Sequence, residues 1–254
     1  MKNRWFYIGF WFVLIYYPLM TYGQFSRAIS KEEARDQLYR MKINMLSSME
    51  AYLYYSRGIN PSQSAAFLDD RIAQAEHNLL ISEEFADAQP AFYSDIEKIS
   101  GFWYSIRNKI IHFYRRGQSI KLYERFSEMN RKINRLNQKL LSGTHVKITP
   151  RERFLRDALE RTHMLSFVFM AKLMEKSDYF NLIFDAQMRN YTALIDSIDK
   201  MEFKTGKNKA EIEYLSKLMN GFADYLLTEN PDPEKVYAKT LEIHNNITGM
   251  LNRL

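Results

Sequence analysis

Residues 122–140 read LYERFSEMNRKINRLNQKL, and this stretch decides the fold. Its apolar residues recur at steps of four and three positions, which is the spacing of one face of an α-helix. The same steps return in residues 236–254, so the sequence contains a repeated helix. The paired positions are Leu122 with Val236, Phe126 with Thr240, Met129 with Ile243, Ile133 with Ile247, Leu136 with Met250, and Leu140 with Leu254.

Two further helical patterns repeat in the same order. Residues 68–79 match residues 184–195, and residues 96–110 match residues 212–226, each at an offset of 116 positions. The shared order and the near-constant offset indicate an internal duplication into two units of about 115 residues, a normal size for a small domain. We therefore predict an all-α fold of two tandem four-helix up-and-down bundle units, residues 24–142 and 150–254.

Turn and capping residues divide each unit into four helices. Ser30 and Glu33 form a capping box at the first helix, and Gly58 suits a left-handed turn at its end. Thr149 followed by Pro150 gives the second unit a similar start. The predicted helices are residues 31–57, 62–82, 94–114, 119–141, 150–176, 179–203, 208–229 and 233–254.

The N-terminal segment has the three parts of an export signal. Lys2 and Arg4 precede the apolar residues 5–20, and Thr21 and Gly23 place small residues before a cut at Gln24. We expect residues 1–23 to be a signal peptide, and the mature chain to be periplasmic or extracellular. The alternative is an N-terminal membrane anchor that is not cleaved.

Composition excludes several classes of function. The chain has no cysteine among its 254 residues, which rules out disulfides and thiolate metal sites. Its positive charge is modest and spread along the chain, so we expect no nucleic-acid partner. The common catalytic motifs are missing, and Glu160 and His163 form a single Glu-x-x-His pair where a di-iron site needs two. We therefore expect a protein that is not an enzyme and has no metal or cofactor.

The first helix of each unit carries the same triplet. Met45-Leu46-Ser47 lies in the first unit and Met164-Leu165-Ser166 in the second, and the run Ser56-Arg57-Gly58-Ile59-Asn60-Pro61 follows the first helix. These residues resemble the PilJ-type N-terminal domain of type IV pili methyl-accepting chemotaxis transducers, whose first helix typically reads Gly-Arg-Gln-Arg-Met-Leu-Ser-Gln-Arg. The resemblance implies an extracytoplasmic helical sensor domain, in which an arginine before the methionine contributes to anion recognition between helices.

At that arginine position this chain has Asn44 in one unit and His163 in the other. The earlier arginine of the pattern becomes Lys42 and remains Arg161. If an anion is bound here, Lys42 or Arg161 must supply the positive charge, and His163 would add a pH dependence near 6.5. The candidate ligand-binding residues are Lys42, Asn44, Ser47, Arg161, His163 and Ser166.

Two functions stay open from the sequence. The first is a sensor-like module that binds a small anionic solute and acts through a separate membrane partner. The second is a structural or interaction bundle of the cell envelope. Residues 167–171 are apolar on more than one helix face, so they are either buried by several neighbours or covered by another subunit, and a homodimer stays open.

Overall fold

The computed structural model describes residues 28–142, 148–198 and 206–254, and its regular structure is entirely helical. This confirms the all-α prediction. A short 3₁₀ turn, Pro90–Phe92, follows the second of the eight α-helices in these described ranges. The helices are α1 (Lys31–Ser56), α2 (Pro61–Ala88), α3 (Tyr93–Ile110), α4 (Gln118–Leu141), α5 (Pro150–Glu175), α6 (Asp178–Asp196), α7 (Gly206–Leu226) and α8 (Pro233–Leu251).

The predicted helix starts are confirmed at both long central helices. The Ser30 hydroxyl accepts a hydrogen bond from the backbone N–H of Glu33 at 3.1 Å and so begins α1. The Thr149 hydroxyl accepts from the N–H of Glu152 at the same distance and begins α5. Each side chain satisfies one of the N–H groups that the first helical turn leaves unpaired.

Three predicted helix ends are wrong. The sixth helix, predicted to run to residue 203, ends at Asp196. We predicted that the second helix ends at Ser82, but α2 continues to Ala88, because no glycine or proline interrupts it and Phe85 packs into the core. We predicted that the third helix runs to residue 114, but α3 ends at Ile110. There the Gln118 amide donates to the carbonyl oxygen of Lys109 at 2.6 Å and satisfies an otherwise unpaired group at the helix end.

Helices α1 and α5 lie at the centre of the fold. Every residue from 41 to 54 in α1 is buried, as is every residue from 162 to 171 in α5. Helix α1 packs against α2, α4 and α5, and α5 packs against α1, α6 and α8. Residues 167–171 are therefore buried on several sides within the chain, which is the first of the two alternatives predicted for them.

The apolar core is continuous between the two predicted units. One cluster of buried apolar side chains contains residues from all eight helices. Residues 143–147 of the predicted junction, and the export segment 1–23, lie outside the described residues. No helix in the described part of the chain is both long and apolar enough to cross a bilayer.

Candidate functional site

The central cleft, as we call it, has a volume of about 650 Å³ and lies between α1, α2, α5 and α8. It therefore lies where the first predicted unit meets the second. Its walls combine apolar side chains with arginine, histidine and amide groups. Representative wall residues are Asn44 of α1, Arg71 and Gln74 of α2, Arg156 and Leu159 of α5, and His244 of α8.

Arg71 is a fixed cation in the wall of this cleft. Its guanidinium lies 4.5 Å from the centre of the Phe67 ring, and its side chain is 16% exposed. Nη1 donates to Asn44 Oδ1 and to Gln74 Oε1, both at 3.2 Å. Nη2 lies 3.2 Å from a carboxylate oxygen of Asp70. Ring stacking and these contacts hold the planar group in one orientation, the form in which a guanidinium recognises carboxylates best.

Arg156 is a second arginine in the cleft, but its charge is more fully neutralised. Its guanidinium lies 4.4 Å from the centre of the Tyr39 ring. Nη2 is 2.5 Å from a carboxylate oxygen of Asp36 and 2.8 Å from one of Glu152. Two carboxylates thus face Arg156 at close range, whereas one faces Arg71.

Behind the cleft, five buried polar side chains form a continuous series of hydrogen bonds, which we call the Glu50 chain. The Tyr54 hydroxyl lies 3.0 Å from Ser166 Oγ, and Ser166 donates to Glu50 Oε1 at 2.6 Å. Glu50 Oε2 lies 2.5 Å from His163 Nδ1, and His163 Nε2 lies 2.7 Å from His244 Nδ1. The first four are fully buried, and His244 lines the cleft. The chain therefore joins the core to the cleft wall.

Burial favours the neutral form of each titratable group in the Glu50 chain. Loss of hydration raises the pKa of Glu50 to about 8 and lowers the pKa values of His163 and His244. The nearby Arg71 charge lowers both histidine pKa values further. In this neutral form the Glu50 carboxyl donates to His163 Nδ1, and His163 Nε2–H donates to His244 Nδ1.

Three of the six residues predicted from the sequence belong to this region. Asn44 accepts a hydrogen bond from Arg71 in the cleft, while His163 and Ser166 both bond to Glu50. The predicted titration of His163 near pH 6.5 is wrong, because burial lowers the pKa of its imidazole.

The other three residues lie apart from the central cleft. Lys42 Nζ lies 2.5 Å from a carboxylate oxygen of Glu160, so its charge is already paired. Arg161 donates to the backbone carbonyl of Asn190 and lines a smaller cleft of about 370 Å³ between α4, α5 and α6. The Ser47 hydroxyl donates a hydrogen bond of 2.9 Å to the backbone carbonyl of Ile43, in its own helix. The two predicted cations thus lack a shared pocket in the part of the chain that the structure describes.

Sequence reasoning missed Glu50, Arg71 and His244. One signal was available for Glu50, which is the only charged residue between Lys42 and Arg57. A lone carboxylate in an otherwise uncharged stretch of a central helix has to find buried partners, because burying it unpaired is costly. Arg71 and His244 lie in ordinary amphipathic helices, and nothing in their spacing marks them.

A metal site is not formed by this cluster. No group of three or more acidic, histidine or cysteine side chains within the described ranges could hold a metal ion. His163 Nε2 and His244 Nδ1 are already joined by a hydrogen bond. Arg71 lies close enough to lower the pKa values of both imidazoles. A cation there would meet the positive charge of Arg71 as well.

Comparison of the chain with protein-family models, curated proteins and solved structures found no match. We therefore infer the function from the geometry of the cleft and of the Glu50 chain. The resemblance of α1 and α5 to PilJ-type domains stays a prediction.

Proposed function

We propose that this protein is a helical binding module whose central cleft takes up a small organic carboxylate. The observation that supports this proposal most is the fixed guanidinium of Arg71 in the wall of a cleft of about 650 Å³. A cavity of this size with a few placed polar groups is the ordinary form of a small-molecule site. Arg71 supplies the positive charge that a carboxylate needs. Both Nη1 hydrogens bond Asn44 and Gln74, so the second Nη2 hydrogen is the donor left for a ligand.

The cleft also favours a ligand with an apolar body. Ile43, Leu159 and Leu251 contribute apolar surface to the cleft wall. Asp36 and Glu152 line the same cleft, and they would repel a second negative charge on the ligand. A monocarboxylate with a hydrocarbon tail fits these walls better than a multiply charged anion such as phosphate or citrate.

The wider role follows the sequence analysis. We propose that the chain is exported after cleavage near Gly23, that its two halves arose by duplication, and that a separate membrane or envelope protein reads the bound state. The resemblance to PilJ-type domains supports a sensor role. The position of the cleft between the two halves supports it too, because a ligand there contacts both.

The experiment is a thermal-shift screen of the purified protein against nitrate, phosphate, succinate, benzoate and octanoate. A ligand that binds only the folded state raises the melting temperature, and we expect octanoate and benzoate to do so most. Isothermal titration then compares the wild type with Arg71→Gln. Loss of charge-assisted hydrogen bonds should weaken binding at least about tenfold.

Arg135→Gln is the matched control, because Arg135 is an exposed arginine on α4. It removes the same charge from the protein without touching the cleft. An equal loss of affinity in both variants would show that net charge, rather than the cleft, attracts the ligand. No shift with any of the five anions would refute the proposed function.

A second candidate, the interaction bundle, is favoured by one observation. Phe113 is 96% exposed and Ile111 is 51% exposed, on the connection between α3 and α4. This connection is held firmly, since the Glu175 carboxylate accepts a hydrogen bond from the backbone N–H of Gly117 at 2.8 Å. Analytical ultracentrifugation tests whether this exposed apolar connection is an interaction surface. Self-association of the wild type that Phe113→Ser abolishes would favour an interaction role. A monomer at every concentration would argue against a homodimer.

A further inference from the structure

The Glu50 chain ends at the wall of the central cleft, so its protonation state can affect a ligand bound there. This inference depends on the proposed function. We propose that the neutral Glu50 chain admits the carboxylate and that the ionised chain excludes it, so that ligand binding is coupled to proton uptake. The proton is then a second ligand of the same site. The inference starts from the order of donors and acceptors along the chain.

In the neutral chain every hydrogen bond runs toward the cleft. Ser166 donates to Glu50 Oε1, so Tyr54 is left to donate to Ser166. Protonated Glu50 donates to His163 Nδ1, and His163 Nε2–H donates to His244 Nδ1. A neutral imidazole has one donor and one acceptor, so the remaining proton of His244 is on Nε2.

Loss of one proton reverses two of these bonds without breaking either. When the Nε2 proton of His244 leaves, the His244 Nδ1–H donates to His163 Nε2. The His163 Nδ1–H then donates to Glu50, which becomes a carboxylate. The proton balance is one proton released to solvent, two protons moved along the chain and one negative charge left on Glu50.

That negative charge would stand behind the site of a bound carboxylate. The Coulomb energy between charges grows as water is excluded, so a buried anion on this path disfavours a second anion in the cleft. Besides Tyr54 within the chain, the neighbouring titratable groups are Asp70 and Arg71 of α2 and Tyr237 of α8. The cleft wall adds the charged or titratable side chains of Asp36, Arg40, His77, Glu152 and Arg156.

The two buried tyrosines do not substitute for Glu50 between pH 6 and 9. Burial raises the pKa values of Tyr54 and Tyr237, so both stay neutral over that range. Asp70 and Arg71 contact each other at 3.2 Å. With the pKa of Glu50 raised to about 8, ligand affinity should be constant at lower pH and should fall up to tenfold per pH unit above it.

Glu50→Gln keeps the hydrogen-bond order of the neutral chain. The glutamine carbonyl accepts from Ser166, and its amide nitrogen donates to His163 Nδ1. The chain then has no group that ionises at alkaline pH. This variant should bind the carboxylate at pH 9.5 almost as tightly as at pH 7.

The test is isothermal titration with octanoate at pH 7 and pH 9.5, on the wild type, Glu50→Gln and the exposed α4 control Glu124→Gln. We expect the affinity of the wild type and of the control to fall tenfold or more, and that of Glu50→Gln to change less than threefold. A parallel fall in all three would overturn the inference and leave the proposed function standing. Octanoate binding at neither pH would overturn both.

A measurement on the wild type alone covers the case in which Glu50→Gln does not fold. Titrations at pH 8.5 in two buffers of different ionisation enthalpy give the number of protons taken up per octanoate bound. We expect more than half a proton, because most Glu50 chains are ionised at that pH before binding and neutral afterwards. A value of zero would overturn the inference.

Discussion

At the scale of single residues, Glu50, His163 and His244 oppose one another in their effect on stability. Glu50 has a raised pKa in the folded state, so its contribution is complete below about pH 4.5 and is lost as pH rises toward 8. The two histidines have lowered pKa values in the folded state. Their contribution is complete above about pH 6.5 and is lost as pH falls.

We therefore predict that the free energy of unfolding has its maximum near pH 6.5. Above pH 6.5 the free energy of unfolding should decline through Glu50, by at most about 1 kcal/mol per pH unit, and Glu50→Gln should abolish this decline. Urea denaturation from pH 4 to 9 measures the free energy of unfolding on both sides of this maximum. Wild-type stability that rises steadily from pH 6.5 to 9 would show that Glu50 is already ionised in the folded protein.

Lys42 gives a second prediction at this scale. Because Lys42 pairs with Glu160 outside the central cleft, Lys42→Met should lower the free energy of unfolding by about 1–2 kcal/mol. Octanoate affinity should not change. The exposed Lys98→Met is the control for loss of a lysine charge, and it should be neutral in both measurements. A tenfold weaker affinity in Lys42→Met alone would return the binding site to the residues predicted from the sequence.

The roles of single residues are also what the sequence predicts least well. The triplets of α1 and α5 directed attention to Asn44, His163 and Ser166, which do lie in or behind the cleft. They also selected Lys42 and Arg161, because those are the cations of that pattern. Whether a cation is free depends on its neighbours from other helices, and helical spacing does not contain that information.

At the scale of the elements, the start of α4 depends on a carboxylate from α5. The buried Glu175 accepts hydrogen bonds from the backbone N–H groups of Gly117 at 2.8 Å and Ser119 at 3.1 Å. It also accepts from the Tyr114 hydroxyl at 2.5 Å. A negative charge at a helix N-terminus satisfies unpaired donors and interacts favourably with the helix dipole.

We predict that Glu175→Ala loosens the connection between α3 and α4. The free energy of unfolding should fall by about 2–3 kcal/mol, since several hydrogen bonds to one charged group are lost. Limited trypsin digestion should then cut faster after Arg115 and Arg116, which are exposed on this connection. The exposed Glu124→Ala is the control, and cleavage at the same rate in both variants would contradict the prediction.

The helices themselves could be predicted well from the sequence. Capping residues such as Ser30 and Thr149 act within one turn, and Gly58 adopts the predicted positive φ, at 76°. Two of the wrong ends have tertiary causes. Helix α2 continues because Phe85 finds a core to pack against, and α3 ends early where the Gln118 side chain reaches back.

At the scale of the whole molecule, the two halves meet along α1 and α5. The apolar core contains residues of all eight helices, and α1 is buried against α5 as well as against its own half. We therefore predict that residues 24–142, produced alone, do not unfold cooperatively. Mixing them with residues 150–254 should restore a cooperative transition, measured by circular dichroism. Cooperative unfolding of either half alone would favour two separate bundles.

How the two halves pack could not be predicted from helical periodicity. Periodicity identifies which face of a helix is apolar, and it is least informative for α1 and α5, which are buried almost all round over residues 41–54 and 162–171. The contact of Glu50 with His163 joins positions 113 residues apart, and that of His163 with His244 joins positions 81 apart. Such contacts depend on the rotation and register of three helices at once.

The most direct test of the central cleft as a carboxylate site is a nuclear magnetic resonance titration of the ¹⁵N-labelled protein with octanoate at pH 7. We expect the largest amide shifts at Asn44, Arg71 and His244, on three different helices. Shifts concentrated instead at Asn130 and Asn190, in the smaller cleft beside Arg161, or no saturable shifts at all, would contradict this expectation.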